Sequence, residues 1–483
     1  MNETKDLVKW ITRLKYNDLP PNVVDFTKRF LMDDIGCMLG GSLQLGNKAV
    51  LRDVTSLGAK PESTIAVYGN KSTAPNVALL DGAFIAGWDY DSTAVGGGHM
   101  GSQTAALLPM SEREIANGRE MLAAECAGIE IQARIGSTSV SFTRSEHPWH
   151  SNTTFGPFAA AVVTGKILGF DEEMMENAIA IASSTLGGNY QHYWNWGSSM
   201  KRVRCGLGAS AGVQAALLAR EGLTGPREIF EGERGLLEIL FGRALEGTPY
   251  YDKSFLNSDL GKVWYTLTYM TKSGACLCVS SGGSALETAL ALKGNHDFTA
   301  ENIESVTVEV NELHTYTELA QNQATNLGRT PMQRLGTSGW SLRWMLAETL
   351  LMGRPTIKVQ LANIRPYGGY REIEALSQKI EIKVNEEYYK EHFKARAYPS
   401  QSGRVIIKLK DGRVLDGEPL PYLGQRMSDG TVNLHTPAQL EEKVREQAVV
   451  AGISKGKQDR VIEFVRTLED QRDILGLIPN MLR

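Results

Sequence analysis

The sequence has no long apolar run, no basic tract and no cysteine framework, and each absence removes a class of function. Its most apolar stretches, such as FAAAVVTGKILGF, are broken well before the roughly 20 residues a membrane helix needs, so no membrane partner is expected. The first residues, MNETKDLVKWITRLKYNDLPP, are amphipathic and carry charges throughout, unlike the apolar core of a signal peptide. A net charge of −4 argues against nucleic acid as a partner. The five cysteines (Cys37, Cys126, Cys205, Cys276 and Cys278) are an odd number without regular spacing, which suits a reducing, cytoplasmic setting. Cys276 and Cys278 are too close for a CxxC pair, and all five read as packing residues. His147 and His150 have HxxH spacing, but neither CxxC nor HExxH accompanies them, so no metal is expected.

What is present is the composition of a globular protein, 42% hydrophobic and 22% charged, in a chain of 483 residues that is too long for one ordinary core. Two domains are expected. From Pro21, NVVDFTKRFLMDDIGCMLGG places Val23, Phe26, Phe30 and Cys37 near one helical face and ends at Gly40-Gly41. Further helical runs follow with small residues at their apolar positions, which predicts closely packed helices. Pro157 suits a first turn, Asp171 a helix cap and Gly222 the position just past a helix end. After about residue 268 the period changes. Val306, Val308 and Val310 alternate, as do Ile380, Ile382 and Val384, and Asp411-Gly412 marks a hairpin. The final residues are helical again. The expected fold is therefore mainly α: a large all-α domain from residues 1–268 and 419–483, with an α+β domain, an antiparallel sheet covered by helices, inserted at 269–418.

Chemistry-bearing residues concentrate in three places. AGWDYDSTAVGGGHMG (86–101) sets Asp89, Asp91, Thr93 and His99 close together, with Gly96-Gly97-Gly98 able to carry the imidazole into a cleft. Gly96, Gly98 and Gly101 also satisfy GxGxxG, but no buried strand precedes them and no ribose-binding acid follows, so a dinucleotide site is not expected. HPWHSNTTFGPF places His147 and His150 before a helix start rich in hydroxyls, and such a start favours anions. SSMKRVRCG offers Lys201, Arg202 and Arg204 to carboxylates. Imidazoles, a carboxylate and several cations together suit removal of a proton next to a carboxylate, because the cations stabilise the charge that develops.

These blocks resemble the MmgE/PrpD family, which contains 2-methylcitrate dehydratase, cis-aconitate decarboxylase and iminodisuccinate epimerase. GWDYDSTAVGGGHMG is similar to the family's Asp-Phe-Asp-Asp-Thr stretch and its following histidine, which implies active-site roles for Asp89, Thr93 and His99. WHSNTTFGPFAAAVVTGKILGFD resembles the block with the second histidine, His150. KRVRCGLGASAGVQAALLAREGLTGPREIFEGERG carries the implied substrate-binding lysine at Lys201, and Lys272 in YMTKSGACL matches a second lysine. The chain departs from the family at Ser92, where an Asp is usual, at Arg204 in place of His, at Cys276 to Cys278, and at Trp344 in place of Tyr.

The resemblance implies a large helical domain, an inserted α+β domain, an active site between them, a homodimer and no organic cofactor. It implies a lyase or isomerase abstracting a proton α to a carboxylate of a small di- or tricarboxylic acid, 2-methylcitrate dehydratase-like or cis-aconitate decarboxylase-like. Two alternatives stand beside it: an epimerase of an iminodisuccinate-like substrate, and an inactive carboxylate-binding relative. In the expected site His150 is the main proton-transfer base, His99 its partner on the opposite face and Asp89 the group that orients His99. Lys201 holds a substrate carboxylate.

Overall fold

The computed structural model describes residues 2–138, 149–189, 199–241, 252–272, 282–311, 341–363, 370–388, 402–423, 425 and 433–483. The chain is mainly helical. The first helices are α1 (Glu3–Arg13), α2 (Pro21–Gly41), α3 (Leu45–Ser56), α4 (Ala74–Ile85), α5 (Ser102–Glu114), α6 (Gly118–Ser137), α7 (Ser151–Thr154), α8 (Gly156–Ile167), α9 (Glu172–Ser183) and α10 (Met200–Arg220). They are followed by α11 (Leu236–Phe241), α12 (Gly283–Asn295), α13 (Leu342–Met352), α14 (Ile357–Asn363), α15 (Tyr370–Ser377), α16 (Pro437–Val450) and α17 (Lys455–Arg466). No helix of the described residues is long and apolar enough to cross a membrane.

Local signals set several boundaries. α2 begins at Pro21, whose fixed φ suits a first turn, and ends at the Gly40-Gly41 pair. Asp171 caps α9 by accepting from the Met174 N–H at 2.8 Å. α10 ends with Gly222 at φ +91°, and the Leu223 and Gly222 N–H groups bond back to Leu218 and Ala219.

The helical body is built around α4, α8 and α10, whose contacts are made at glycines. An added Cβ would lie 1.9 Å from the Leu79 carbonyl oxygen at Gly206 and 2.3 Å from the Pro157 oxygen at Gly212. At Gly208 it would lie 2.3 Å from the Asn152 oxygen. The small-residue pattern therefore reports backbone-to-backbone approach of three buried helices. From the far end of the chain α16 packs on α2. Lys443 of α16 ion-pairs with Asp33 and donates to the Tyr90 carbonyl at 2.7 Å and the Thr271 hydroxyl at 2.6 Å.

Two ribbons belong to this body: β1 (Ser63–Thr64) with β2 (Lys71–Ser72), and a three-stranded sheet of β3 (Ser92–Ala94), β4 (Gly98–His99) and β5 (Met270–Thr271) in the order β4-β3-β5. β5 thus pairs with the first part of the chain beyond residue 268, and Tyr269 stacks edge-on against Phe30 at 4.6 Å.

A third sheet has the order β7-β6-β8-β9, from β6 (Ile303–Val310), β7 (Ile380–Val384), β8 (Gly403–Leu409) and β9 (Val414–Gly417). Val306, Val308 and Val310 are buried as their alternation predicts, and so are Ile380 and Ile382. Val384, the last residue of β7, is exposed. The sheet is mixed rather than wholly antiparallel. β6 and β7 run parallel, because α13 to α15 lie between them in the chain and return it to the same end. The β8–β9 hairpin turns at Asp411-Gly412 with Gly412 at φ +90°. Its loop runs from Lys410 to Gly412, closed by the Leu409 N–H on the Arg413 carbonyl, so it is three residues long rather than two.

Candidate functional site

The stretch between α4 and α5 makes most of the site. After α4 the backbone tightens through Ala86–Trp88 and stops at Asp89, which has left-handed φ 54° and ψ 36°. Asp tolerates this region better than branched residues do, and the indole N–H of Trp88, donating to the Gly40 carbonyl at 2.9 Å, pins the turn. The turn buries the Asp89 carboxylate, which ion-pairs with Lys201 and with Lys272 at 3.1 Å. Lys272 also donates to the Asp89 carbonyl at 2.6 Å.

The next residues form the β3–β4 hairpin, in which Thr93 lies directly opposite His99. Gly96 and Gly98 adopt positive φ, and the loop lies so close to α6 that a Cβ on Gly136 would sit 1.8 Å from the Gly96 carbonyl oxygen. Gln132 of α6 donates to the Gly97 and His99 carbonyls at 3.0 and 2.7 Å. The imidazole is thereby fixed. Its Nδ1 lies 3.1 Å from Asp91 Oδ2, and its Nε2 lies 3.4 Å from Lys201 Nζ and 3.6 Å from Asp89 Oδ1.

His150 comes from the other side as the residue capping α7. Its backbone N–H donates to the Gly188 carbonyl at 2.8 Å, and its Nδ1 accepts from the Asn152 N–H at 3.4 Å. That bond needs an unprotonated Nδ1, so a neutral His150 carries its hydrogen on Nε2. The two imidazoles lie in nearly parallel planes, 18° apart, with centroids at 5.7 Å. His99 is 19% exposed in its side chain, whereas His150 is 1% exposed.

Lys201 stands on the first turn of α10, held in place by the glycine contacts of that helix. Lys201, Arg202 and Arg204 are all buried, so this basic cluster is not a solvated helix end. Arg204 donates to the Asn189 carbonyl at 2.6 Å, beside the strand bridge that joins Asn189 to Trp149. Thr93 is half-buried, with its hydroxyl 3.5 Å from the Met270 carbonyl.

Asp89, Thr93, His99, His150, Lys201 and Lys272 therefore converge, although they come from four separated segments. Burial alone would raise the Asp91 carboxyl, but the His99 charge and hydrogen bond, with Lys272 nearby, hold it below its ordinary range. Two carboxylates against two ammonium groups are balanced, and a protonated His99 leaves the cluster net positive, with Arg202 and Arg204 on the same helix. Such a cluster suits an anion. Asp89, Asp91 and His99 also bring one ligand atom each within 4.8 Å of one another. A cation there would have to displace two ammonium groups from Asp89, so the donor set fits an ion-pair network better than a metal.

One expected role changes hands. Asp91, rather than Asp89, contacts Nδ1 of His99, because the left-handed turn at Asp89 points its carboxylate at the lysines. The sequence places both acids in the right stretch but has no signal that separates them. Gln132 was equally illegible, since nothing near it in the chain concerns the hairpin it clamps. Ser92 is buried and donates to Asp34 at 3.0 Å. Trp344 is buried in α13 and forms part of the apolar core. His147, Cys276 and Cys278 lie outside the described residues.

Residues 5–246 match the MmgE/PrpD N-terminal domain. A cis-aconitate decarboxylase-like protein, oryM, of Aspergillus oryzae is 30% identical over 64% of this chain and 67% of its own length. Cis-aconitate decarboxylase of Aspergillus terreus is 24% identical over 85% of this chain and 83% of its own, and the human enzyme of that name 25% over 48% and 49%.

Proposed function

Because the chain belongs to the MmgE/PrpD family, we propose that it is a cofactor-independent lyase that transfers a proton at the carbon next to a carboxylate of a small di- or tricarboxylic acid. Cis-aconitate decarboxylation is the reference reaction, from the names of the relatives. The observation that carries this reading is His99, a partly exposed imidazole backed by the buried Asp91 carboxylate and facing Lys201, with Lys272 beside it on Asp89.

The chemistry fits those groups. In cis-aconitate the bond from the methylene carbon to its carboxylate breaks, CO2 leaves, and the electron pair becomes a new double bond. The old double-bond pair moves onto the carbon beside another carboxylate and takes one proton there. Charge developing on that carbon spreads into the adjacent carboxylate, where Lys201 and Lys272 stabilise it, and a protonated His99 supplies the proton. Asp91 orients the ring and Asp89 holds the two ammonium groups in register. Thr93, opposite His99, offers a hydroxyl to the substrate, and Arg204 adds positive charge.

Epimerisation has less support. It needs groups on both faces of one carbon, and a layer between the two imidazoles would need roughly 7 Å, twice a van der Waals contact. The rings are 5.7 Å apart.

The test is incubation of the pure protein in D2O with cis-aconitate, 2-methylcitrate and iminodisuccinate, followed by NMR. The expected result is turnover of one acid with a single deuterium placed next to a carboxylate. His99→Asn should lower kcat by about 10²–10⁴-fold, and Asp91→Asn should lower it in the same direction through loss of ring orientation. An acid that raises the melting temperature but neither reacts nor exchanges would mark a binding protein and overturn the lyase reading.

A further inference from the structure

Behind the His99 hairpin, and outside the chemistry above, Thr104 stands between two buried carboxyl groups. Its hydroxyl oxygen lies 2.9 Å from Asp34 Oδ2 and 2.6 Å from Glu125 Oε1. A hydroxyl has one hydrogen to donate, so only one of these contacts is made by Thr104 as donor. In the other the carboxyl must donate, and it must therefore carry a proton. Asp34 is already supplied with donors: Ser92 Oγ at 3.0 Å on Oδ1 and Gln103 Nε2 at 3.5 Å on Oδ2. Glu125 is fully buried, and its Oε2 has no hydrogen-bond partner among the described residues. An ionised Glu125 would leave that oxygen desolvated and uncompensated. The direction of the chain follows. Glu125 O–H donates to Thr104, Thr104 donates to Asp34, and Ser92 donates to Asp34 from the opposite side.

Ser92 and Thr104 are the two stems of the segment that carries His99. Asp34 of α2 grips both. We propose that Glu125 is protonated at neutral pH, and that the Glu125–Thr104–Asp34–Ser92 chain is a positioning device that holds the His99 hairpin and slackens when Glu125 ionises. Ionisation would set two negative carboxylates against a hydroxyl that can serve only one of them.

The charged surroundings favour the protonated form. Asp34 faces Glu125 across Thr104, and Asp33 from α2 and Asp91 from the approach to β3 act on Asp34, whose own carboxyl is raised by burial and by these acidic neighbours, so the pair holds a proton between them. The cation on that side, Lys443 of α16, is bound to Asp33, and Tyr269 donates to Asp33 at 3.1 Å. On α6 itself lie Cys126 and Glu130, the latter beside Arg134. Burial pushes the Glu125 carboxyl up to about 8, against the opposing pull of the nearby Thr104 hydroxyl and Gln103 side chain. A carboxyl raised on folding contributes stability that is complete below its ordinary range and is lost as pH rises through about 8.

The decisive variant is Glu125→Gln, whose amide N–H donates to Thr104 at every pH. The full-length protein is compared with Glu125→Gln and Glu125→Ala by infrared spectroscopy of carboxyl groups, by melting temperature against pH, and by the NMR resonances of the His99 ring. In the wild type a protonated-carboxyl band should be present at neutral pH and should fade near pH 8, while the melting temperature should decline by a few °C from the ordinary carboxylate range up to about pH 8 and level off above it. Glu125→Gln should lack both changes and should keep the His99 ring resonances unchanged by the step near pH 8, whereas Glu125→Ala should perturb the His99 ring resonances at every pH. An identical band in wild type and Glu125→Gln overturns the protonation. His99 ring resonances identical in all three forms overturn the positioning role. Where turnover is found, Glu125→Gln should extend the alkaline limb of kcat, and an unchanged limb counts against the proposal. That last measurement rests on the lyase reading, while the spectroscopic ones do not, so failure of either is distinguishable.

Discussion

At the scale of single residues, the site is a set of charges whose partners decide their roles. Asp89 neutralises two lysines, so their ammonium groups stay buried without being unpaired. Asp91 does the same for His99. His150 admits two roles, since it caps α7 and also stacks on His99. Asn is as good a capping residue as any, so His150→Asn separates them: the helix start is kept and the imidazole is lost. The expected outcome is a melting temperature within a few °C of wild type and a lower kcat, because the ring that stacks on the proton donor His99 is gone. A destabilised variant with normal turnover per folded molecule would reduce His150 to a structural cap.

At the scale of elements, catalytic geometry depends on how closely helices approach. α10 delivers Lys201, and its place is set where Gly206 meets the backbone of α4. Gly206→Ala would raise helix propensity, yet its Cβ would lie 1.9 Å from a carbonyl oxygen that cannot swing aside. Packing outweighs propensity. The variant should lose about 1–3 kcal/mol or more and should lower activity by displacing Lys201. Gly294→Ala is the control, with nothing within 4 Å of the added Cβ, and should be neutral or stabilising by about 0.4–1 kcal/mol. Thermal melting of the two variants decides between crowding and propensity.

At the scale of the whole molecule, residues far apart in the chain hold the site from behind. α16 brings Lys443 to Asp33, and His435 just before it is buried with neither ring nitrogen hydrogen-bonded among the described residues. Burial, with Lys443, Arg29 and Arg354 nearby, pushes the His435 imidazole down to about 3. Between that value and the ordinary one near 6.5 the unfolded chain binds a proton that the folded chain does not, so stability rises with pH across this window and is lost on acidification. His435→Gln, which cannot be protonated, should flatten the fall in melting temperature between pH 6.5 and 4 relative to wild type. Equal slopes for the two proteins would show that the acid sensitivity lies elsewhere.

The sequence by itself determined the helical character of the chain, the strands at residues 303–310 and 380–384, the turn at Asp411-Gly412 and the convergent residues Asp89, Thr93, His99, His150, Lys201 and Lys272. These were legible because period, caps and turn residues act over a few positions, and because chemistry-bearing residues cluster in short blocks. Only the tertiary structure decided which acid orients His99, that β6 and β7 run parallel, and that Gln132, Asp34, Thr104 and Glu125 stand behind the hairpin. The physical reason is the same in each case. A buried polar group takes its role from the donors and acceptors that folding brings to it, and those partners lie tens to hundreds of residues away in the chain.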